Sequence, residues 1–172
     1  MTKRDNLVLT GVKVITWLIF ISLSIQAGVL LFNYPSLLFS YNLKAAVTGP
    51  QKHKGWIFPS MFSLAVFITC LKAYLFYLVI RLMQTLDVSS PFHLPVARQI
   101  SKISTATFSI GLISYIAFLS ARNLGHHGLI MSNLSSFWGD SQAYILMSAI
   151  IYIIALIFKR GIEMQTENDL TI

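Results

Sequence analysis

The sequence predicts an all-α membrane protein whose four transmembrane helices form an antiparallel bundle. Hydrophobic residues make up 55% of the 172-residue chain and charged residues only 11%, whereas soluble domains contain about 25% charged residues. In addition, four apolar runs approach or exceed the roughly 20 residues that a helix needs to cross a hydrocarbon core about 30 Å thick. We therefore expect a single four-helix transmembrane domain over residues 1–172.

The predicted spans follow one another at residues 8–32, 57–82, 103–121 and 141–158. The first span follows two basic residues, as a signal peptide would. It is, however, too long for the apolar part of a typical signal peptide, and no clean small-residue cleavage site ends it. We interpret it as a retained membrane span.

Two of the connections carry helix-boundary signals. In the first, Pro35 and the pair Gly49-Pro50 bracket apolar residues at helical spacing, which is typical of a short helix lying on the membrane interface. In the second, Pro95 suits the first turn of a helix, where a missing backbone N–H does no harm. The third helix is therefore predicted to run from about Leu94 to Ala121.

The basic residues predict the orientation. With the N-terminus inside, eight lysines and arginines fall on the cytoplasmic side and four on the outer side, which places both termini in the cytoplasm and makes residues 159–172 a short cytoplasmic tail. Trp56 and Trp138 would then lie at the outer interface, where an indole is favoured. We attribute the net charge of +7 to these flanking residues and expect no direct nucleic-acid binding. The cytoplasmic set is Lys3, Arg4, Lys13, Arg81, Arg98, Lys102, Lys159 and Arg160, and the outer set is Lys44, Lys52, Lys54 and Arg122.

Lys72 is the candidate intramembrane polar site, because it interrupts the second apolar run. All six acidic residues lie outside the predicted spans, so no ion pair within the membrane is expected from this chain. Gln26 and Asn33 are polar candidates for the same site. Three alternatives stay open: Lys72 extends its ammonium to water or hydrogen-bonds into the bundle, it pairs with an acid from another subunit, or it lines a path for ions or protons.

The sequence offers no arrangement typical of an enzyme or a metal centre. It lacks the usual nucleophile, zinc and phosphate-loop motifs, and the pair His126-His127 has no cysteine or acid cluster beside it. We expect no catalytic residues, no metal and no cofactor. The single cysteine, Cys70, is interpreted as a small buried apolar residue.

Small residues are frequent in the third span, with Ser101, Thr105 and Ser109 at four-residue steps and Thr107 and Gly111 beside them. Small residues allow the backbones of two helices to approach closely. Such a face is explained by burial inside the bundle or by contact with a second copy, so a homo-oligomer remains an expectation.

The end of the chain resembles a known family. Two features carry the resemblance: the stretch Ser90-Pro91-Phe92 before the third span, and a closing segment of the type rG-x-x-Lq-x-E-x-DLT. In that segment the matching positions are Arg160, Gly161, Met164, Gln165, Glu167, Asp169, Leu170 and Thr171. The chain is similar to small four-helix bacterial membrane proteins, domain-of-unknown-function family 2975. The resemblance implies a location in the bacterial inner membrane. Members are often encoded beside small helix-turn-helix regulators, which implies a transcription factor as partner.

The expected function is therefore that of a non-enzymatic membrane anchor or regulator of a cytoplasmic protein. Candidate partner-binding residues are Arg98 and Lys102 at the start of the third helix and Glu163, Glu167 and Asp169 in the acidic tail. The tail is interpreted either as a solvated end or as a short motif that binds a basic protein. A transporter or channel subunit with Lys72 in its path is the alternative.

Overall fold

The structure, a computed structural model, describes residues 3–48, 57–86, 93–126 and 137–169, with a few side chains at the ends of these ranges left out. Four helices account for nearly all of them: α1 Lys3–Thr48, α2 Ile57–Thr85, α3 Leu94–His126 and α4 Ser141–Asp169. Each is long and apolar enough to cross a membrane. The predicted fold class of four transmembrane helices is confirmed.

The start of α3 agrees with the prediction. The helix begins at Leu94, and the backbone N–H groups of Val96 and Ala97 donate to the carbonyl of His93 at 3.0 and 3.2 Å. Pro95 therefore lies in the first turn, where the missing N–H leaves no carbonyl without its donor. At its other end α3 continues to His126, about one turn beyond the predicted end at Ala121.

The first connection differs from the prediction. The segment after the first span is helical, but it is continuous with α1 and does not form a separate short helix. Pro35 lies inside α1, and its ring removes the hydrogen bond that the carbonyl of Leu31 would accept. Helices in membranes tolerate such a proline, so the proline signal marks a position within α1, whereas Gly49 follows its last residue, Thr48.

Consecutive helices are antiparallel neighbours. α1 packs on α2, α2 on α3, and α3 most extensively on α4. The rings of Tyr34 and Phe62 lie 5.1 Å apart, whereas Thr16 approaches Met83 at the opposite end of the α1–α2 pair. Gln99 near the start of α3 donates to the carbonyl of Leu78 near the end of α2 at 3.2 Å.

α3 and α4 are held at very close distance by small residues. The hydroxyl of Ser104 donates to the carbonyl of Ser148 at 3.0 Å. A Cβ on Gly111 would lie 2.7 Å from a side-chain carbon of Ile145 and 2.9 Å from its backbone nitrogen, so no other residue fits without moving α4. The predicted stripe of Ser101, Thr105 and Ser109 is not this packing face, because Ser101 and Thr105 are exposed.

α4 is displaced along the bundle axis. Its first residue, Ser141, lies beside Gly111, and α3 continues from there to His126, which is about 20 Å of helix. At the other end Phe158 packs on Val96 and Ile100 near the start of α3, and α4 continues to Asp169. We call this the basic end of the bundle, because Arg81, Arg98 and Lys159 lie there.

The displacement leaves a space between α2 and α3 beyond the start of α4, and Trp138 fills it. Trp138 is only 2% exposed and packs with Phe62, Ile68 and Ala117. The indole therefore packs inside the bundle and is not presented to lipid headgroups, and its depth in the membrane stays a prediction. An indole is favoured at a membrane interface only if it is free to reach it, and here the turn before α4 directs it into the core. Trp56 lies outside the described residues.

Candidate intramembrane polar site

Lys72 lies in the middle of α2, and its side chain extends toward α4. Side chains on a helix are tilted toward its N-terminus, so the ammonium is directed away from Arg81 and the basic end. It donates to the backbone carbonyl of Phe137 at 3.1 Å and lies 5.3 Å from the centre of the Tyr144 ring. Of the predicted alternatives, the structure shows a hydrogen bond into the bundle.

Asp140 is the residue that sequence reasoning missed at this site. It precedes the first residue of α4, where its carbonyl accepts the N–H of Tyr144 at 3.2 Å, and its charge interacts with that of Lys72. No ion pair within 4.0 Å joins them in the described residues. The approach of Asp140 was not predicted, because the displacement of α4, which carries Asp140 inward along the bundle, cannot be read from the sequence.

Buried hydroxyl groups lie on the same helices, and most of them are satisfied. Thr107 on α3 and Thr69 on α2 donate to the carbonyls one turn before them, each at 2.8 Å. Ser114 on α3 is 1% exposed, and its hydroxyl is the buried side-chain polar atom without a hydrogen-bond partner in the described chain. A buried hydroxyl left unsatisfied in this way costs about 1–3 kcal/mol.

A cavity of about 420 Å³ lies between α2, α3 and α4, beside the polar group formed by Lys72 and Asp140. Most of its wall is apolar, and Asp140 is its one charged lining residue. Lys72 is not part of the wall, because its ammonium is hydrogen-bonded to the carbonyl of Phe137 and lies against the ring of Tyr144. The lining residues are Leu75, Phe76, Val79, Ile103, Thr107, Asp140, Ala143, Tyr144, Met147 and Ile151.

The other polar candidates lie elsewhere. Gln26 and Asn33 are exposed on α1, which contacts α2 and, within the described residues, neither α3 nor α4. No hydrogen bond connects either residue with Lys72 in that part of the chain. Cys70 is exposed and lines a second, apolar cavity with Leu31 and Phe67; its interpretation as a buried residue is wrong.

The candidate partner-binding residues lie at the same end of the bundle, the basic end. Arg98 and Lys102 are exposed on the first turns of α3, and Glu163 and Glu167 are exposed near the end of α4. The predicted tail is helical as far as Asp169, whose side chain lies outside the described residues. Arg160 forms an ion pair of 3.8 Å with Glu163 one turn later.

No metal centre is evident in the part of the chain that the structure describes. No three side chains of the His, Cys, Asp and Glu types come together there. The side chains of the pair His126-His127 lie outside the described residues, and His93 is exposed at the start of α3.

Comparison with known proteins identifies a family. The model of a family described as "Protein of unknown function (DUF2975)" matches residues 39–172. The chain belongs to this family. No curated protein and no solved structure matches it. The DUF2975 match covers α2, α3 and α4 with Lys72, Asp140 and the acidic end of α4, whereas most of α1, including Gln26 and Asn33, precedes it.

Proposed function

We propose that this protein is a non-enzymatic anchor or regulator that binds a cytoplasmic protein at the basic end of its bundle. We place it in the inner membrane of a bacterium with both termini in the cytoplasm. The observation that carries the proposal is that two oppositely charged, exposed elements lie at one end of the bundle: the basic first turns of α3 and the acidic end of α4.

The basic end offers a rigid surface for such a partner. Phe158 and Ala155 of α4 pack on Val96 and Ile100 of α3, so both elements are fixed to the same core cluster. Beyond Phe158, residues 159–169 extend α4 by about 16 Å. This extension is ordered before binding, and a preformed helix saves the partner the cost of ordering it.

The charges on this surface favour a partner with a basic face. Glu163 and Glu167 are exposed on the extension, and carboxylates on a projecting helix attract lysines and arginines of another protein. Helix-turn-helix regulators, which the family resemblance implies, carry such residues for binding DNA phosphates. Lys159 and Arg160, exposed at the end of the apolar part of α4, favour the cytoplasmic side.

Affinity capture from native membranes, with mass spectrometry to identify recovered helix-turn-helix regulators, tests this proposal. The double variant Glu163→Lys, Glu167→Lys reverses the charge of the extension and should reduce recovery of the regulator at least tenfold, with unchanged amounts of the protein in the membrane. Gln165→Lys is the matched control, since it adds a lysine to the same exposed segment without removing a carboxylate. Equal recovery with all three proteins would refute the proposal.

A transporter or channel subunit is the second candidate, and the polar group at Lys72 and Asp140 is the observation that favours it. Charged side chains within spans often mark ion pathways. In a Cys70→Ser background, Lys72→Cys should react with a water-soluble thiol reagent if water reaches this position. Complete protection in intact membranes would exclude a hydrated path.

A further inference from the structure

We propose that the cavity between α2, α3 and α4 binds a small cationic amphiphile, with its apolar tail in the cavity and its ammonium group at Asp140. The site stands apart from the proposed function, because it lies about 20 residues along α4 from the acidic extension and needs no cytoplasmic partner.

The size and walls of the cavity fit such a molecule. Its volume of about 420 Å³ falls within the range of about 300–1,000 Å³ that small-molecule sites occupy. Its apolar wall includes Leu75 and Val79 of α2, Ile103 of α3, and Met147 and Ile151 of α4. An alkyl chain matches this apolar surface, and because it exchanges there with equally apolar lipid tails, the charge at Asp140 decides which amphiphile is bound.

Asp140 gives the site its preference for a positive charge. It is exposed, and within the described residues no cation lies within 4.0 Å of its carboxylate. Its carboxylate attracts the ammonium group of an amphiphile whose tail occupies the adjoining apolar cavity.

Lys72 limits this attraction without reversing it. Its ammonium is hydrogen-bonded to the carbonyl of Phe137 and lies against the Tyr144 ring. Lys72 therefore does not line the cavity, whereas Asp140 does. An anionic amphiphile would instead bring its headgroup against Asp140, the charged residue of the cavity wall, and repulsion would oppose its binding.

Trp138 provides the reporter for a direct test, since it lies two residues before Asp140. The chain has three tryptophans, so Trp17→Phe with Trp56→Phe leaves Trp138 as the only source of tryptophan fluorescence. This protein is reconstituted in nanodiscs of zwitterionic phosphatidylcholine and titrated with bromodecylamine, bromodecanoate or bromodecanol. The amine should quench Trp138 saturably, and the neutral alcohol measures quenching by simple partition into the bilayer.

Two variants separate the charge from the cavity. Asp140→Asn should weaken amine binding at least tenfold, and Ala143→Phe, which fills the cavity wall but keeps Asp140, should abolish saturation. Glu163→Gln is the control for a lost carboxylate at the other end of α4 and should change nothing. Any of three results would overturn the proposal: the amine quenches no more than the alcohol does, its quenching is unchanged in Asp140→Asn, or the carboxylate quenches more than the amine.

Discussion

In soluble proteins the more apolar segment is usually the more buried one, whereas α1 and α3 show the opposite relation between hydropathy and burial. The α1 span has the higher mean hydropathy, 2.2, yet only 6% of its residues are buried inside the structure, whereas the α3 span has a mean hydropathy of 1.6 and 44% burial. α4 and α2 follow the same order, with hydropathies of 2.1 and 2.0 and burial of 17% and 39%. The most apolar helix is the most exposed.

The difference shows which solvent shaped the sequence. Lipid tails are as apolar as leucine, so a helix that faces lipid gains nothing from polar groups and must hide its backbone. A helix between other helices instead gains from small residues and from hydrogen bonds across the interface. α3 has Gly111, Ser104 and Gln99 in such positions, whereas α1 contacts a single neighbour within the described residues.

Replacing a tryptophan should give the largest difference in stability between α1 and the rest of the bundle, because Trp17 lies on α1 and Trp138 lies in the core formed with α2 and α3. Trp138→Ala removes a side chain that is 2% exposed and should lower the free energy of unfolding by about 3–5 kcal/mol. Trp17→Ala, at a residue that is 47% exposed on α1, should cost no more than about 0.5 kcal/mol. Unfolding in mixed micelles, followed by circular dichroism, measures both; equal losses would show that α1 is as tightly packed as the core.

A glycine-to-alanine substitution compares the packing of α3 with that of α1 by adding one methyl group to each helix. Gly111→Ala places a Cβ against the backbone of Ile145 and should destabilise the protein by about 1–3 kcal/mol through overpacking. A Cβ on Gly28 meets nothing within 4 Å, so Gly28→Ala should be neutral or should stabilise α1 by up to about 1 kcal/mol. The same unfolding experiment applies, and a neutral Gly111→Ala would mean that α3 and α4 are further apart than described.

Glutamine gives the smallest expected difference. Gln99→Leu removes the hydrogen bond to Leu78 and should cost about 0.6 kcal/mol, the average of such bonds between membrane helices. Gln26→Leu removes an exposed amide from α1 and should not reduce stability. Replicate unfolding curves in the same micelles resolve this difference, and a larger loss for Gln26→Leu would point to a partner of α1.

Much of the fold could be predicted from the sequence, because the features that define a span are local. Apolar length located all four helices, and Pro95 located the start of α3 at Leu94. Pro35 does not begin a separate helix, because α1 continues through it; a proline can be accommodated inside a helix in membranes, and the sequence alone does not distinguish the two cases.

The candidate site could be predicted only in part. Lys72 is visible as a charge in an apolar run, but its neighbours depend on how far α4 is displaced along α3. Gly111 is the local sign of that close contact, yet its position opposite Ile145 requires the packed helices. The burial of Trp138 and the approach of Asp140 both follow from the same displacement, so one distance that the sequence does not determine accounts for both.

The unbroken course of α4 has a mechanical consequence. One rod carries Tyr144, whose ring is in contact with a fixed lysine, and also Glu163, which stands clear of the packed helices. Because an α-helix resists compression along its axis, a shift of about one ångström at Tyr144 would be transmitted to Glu163 with little loss.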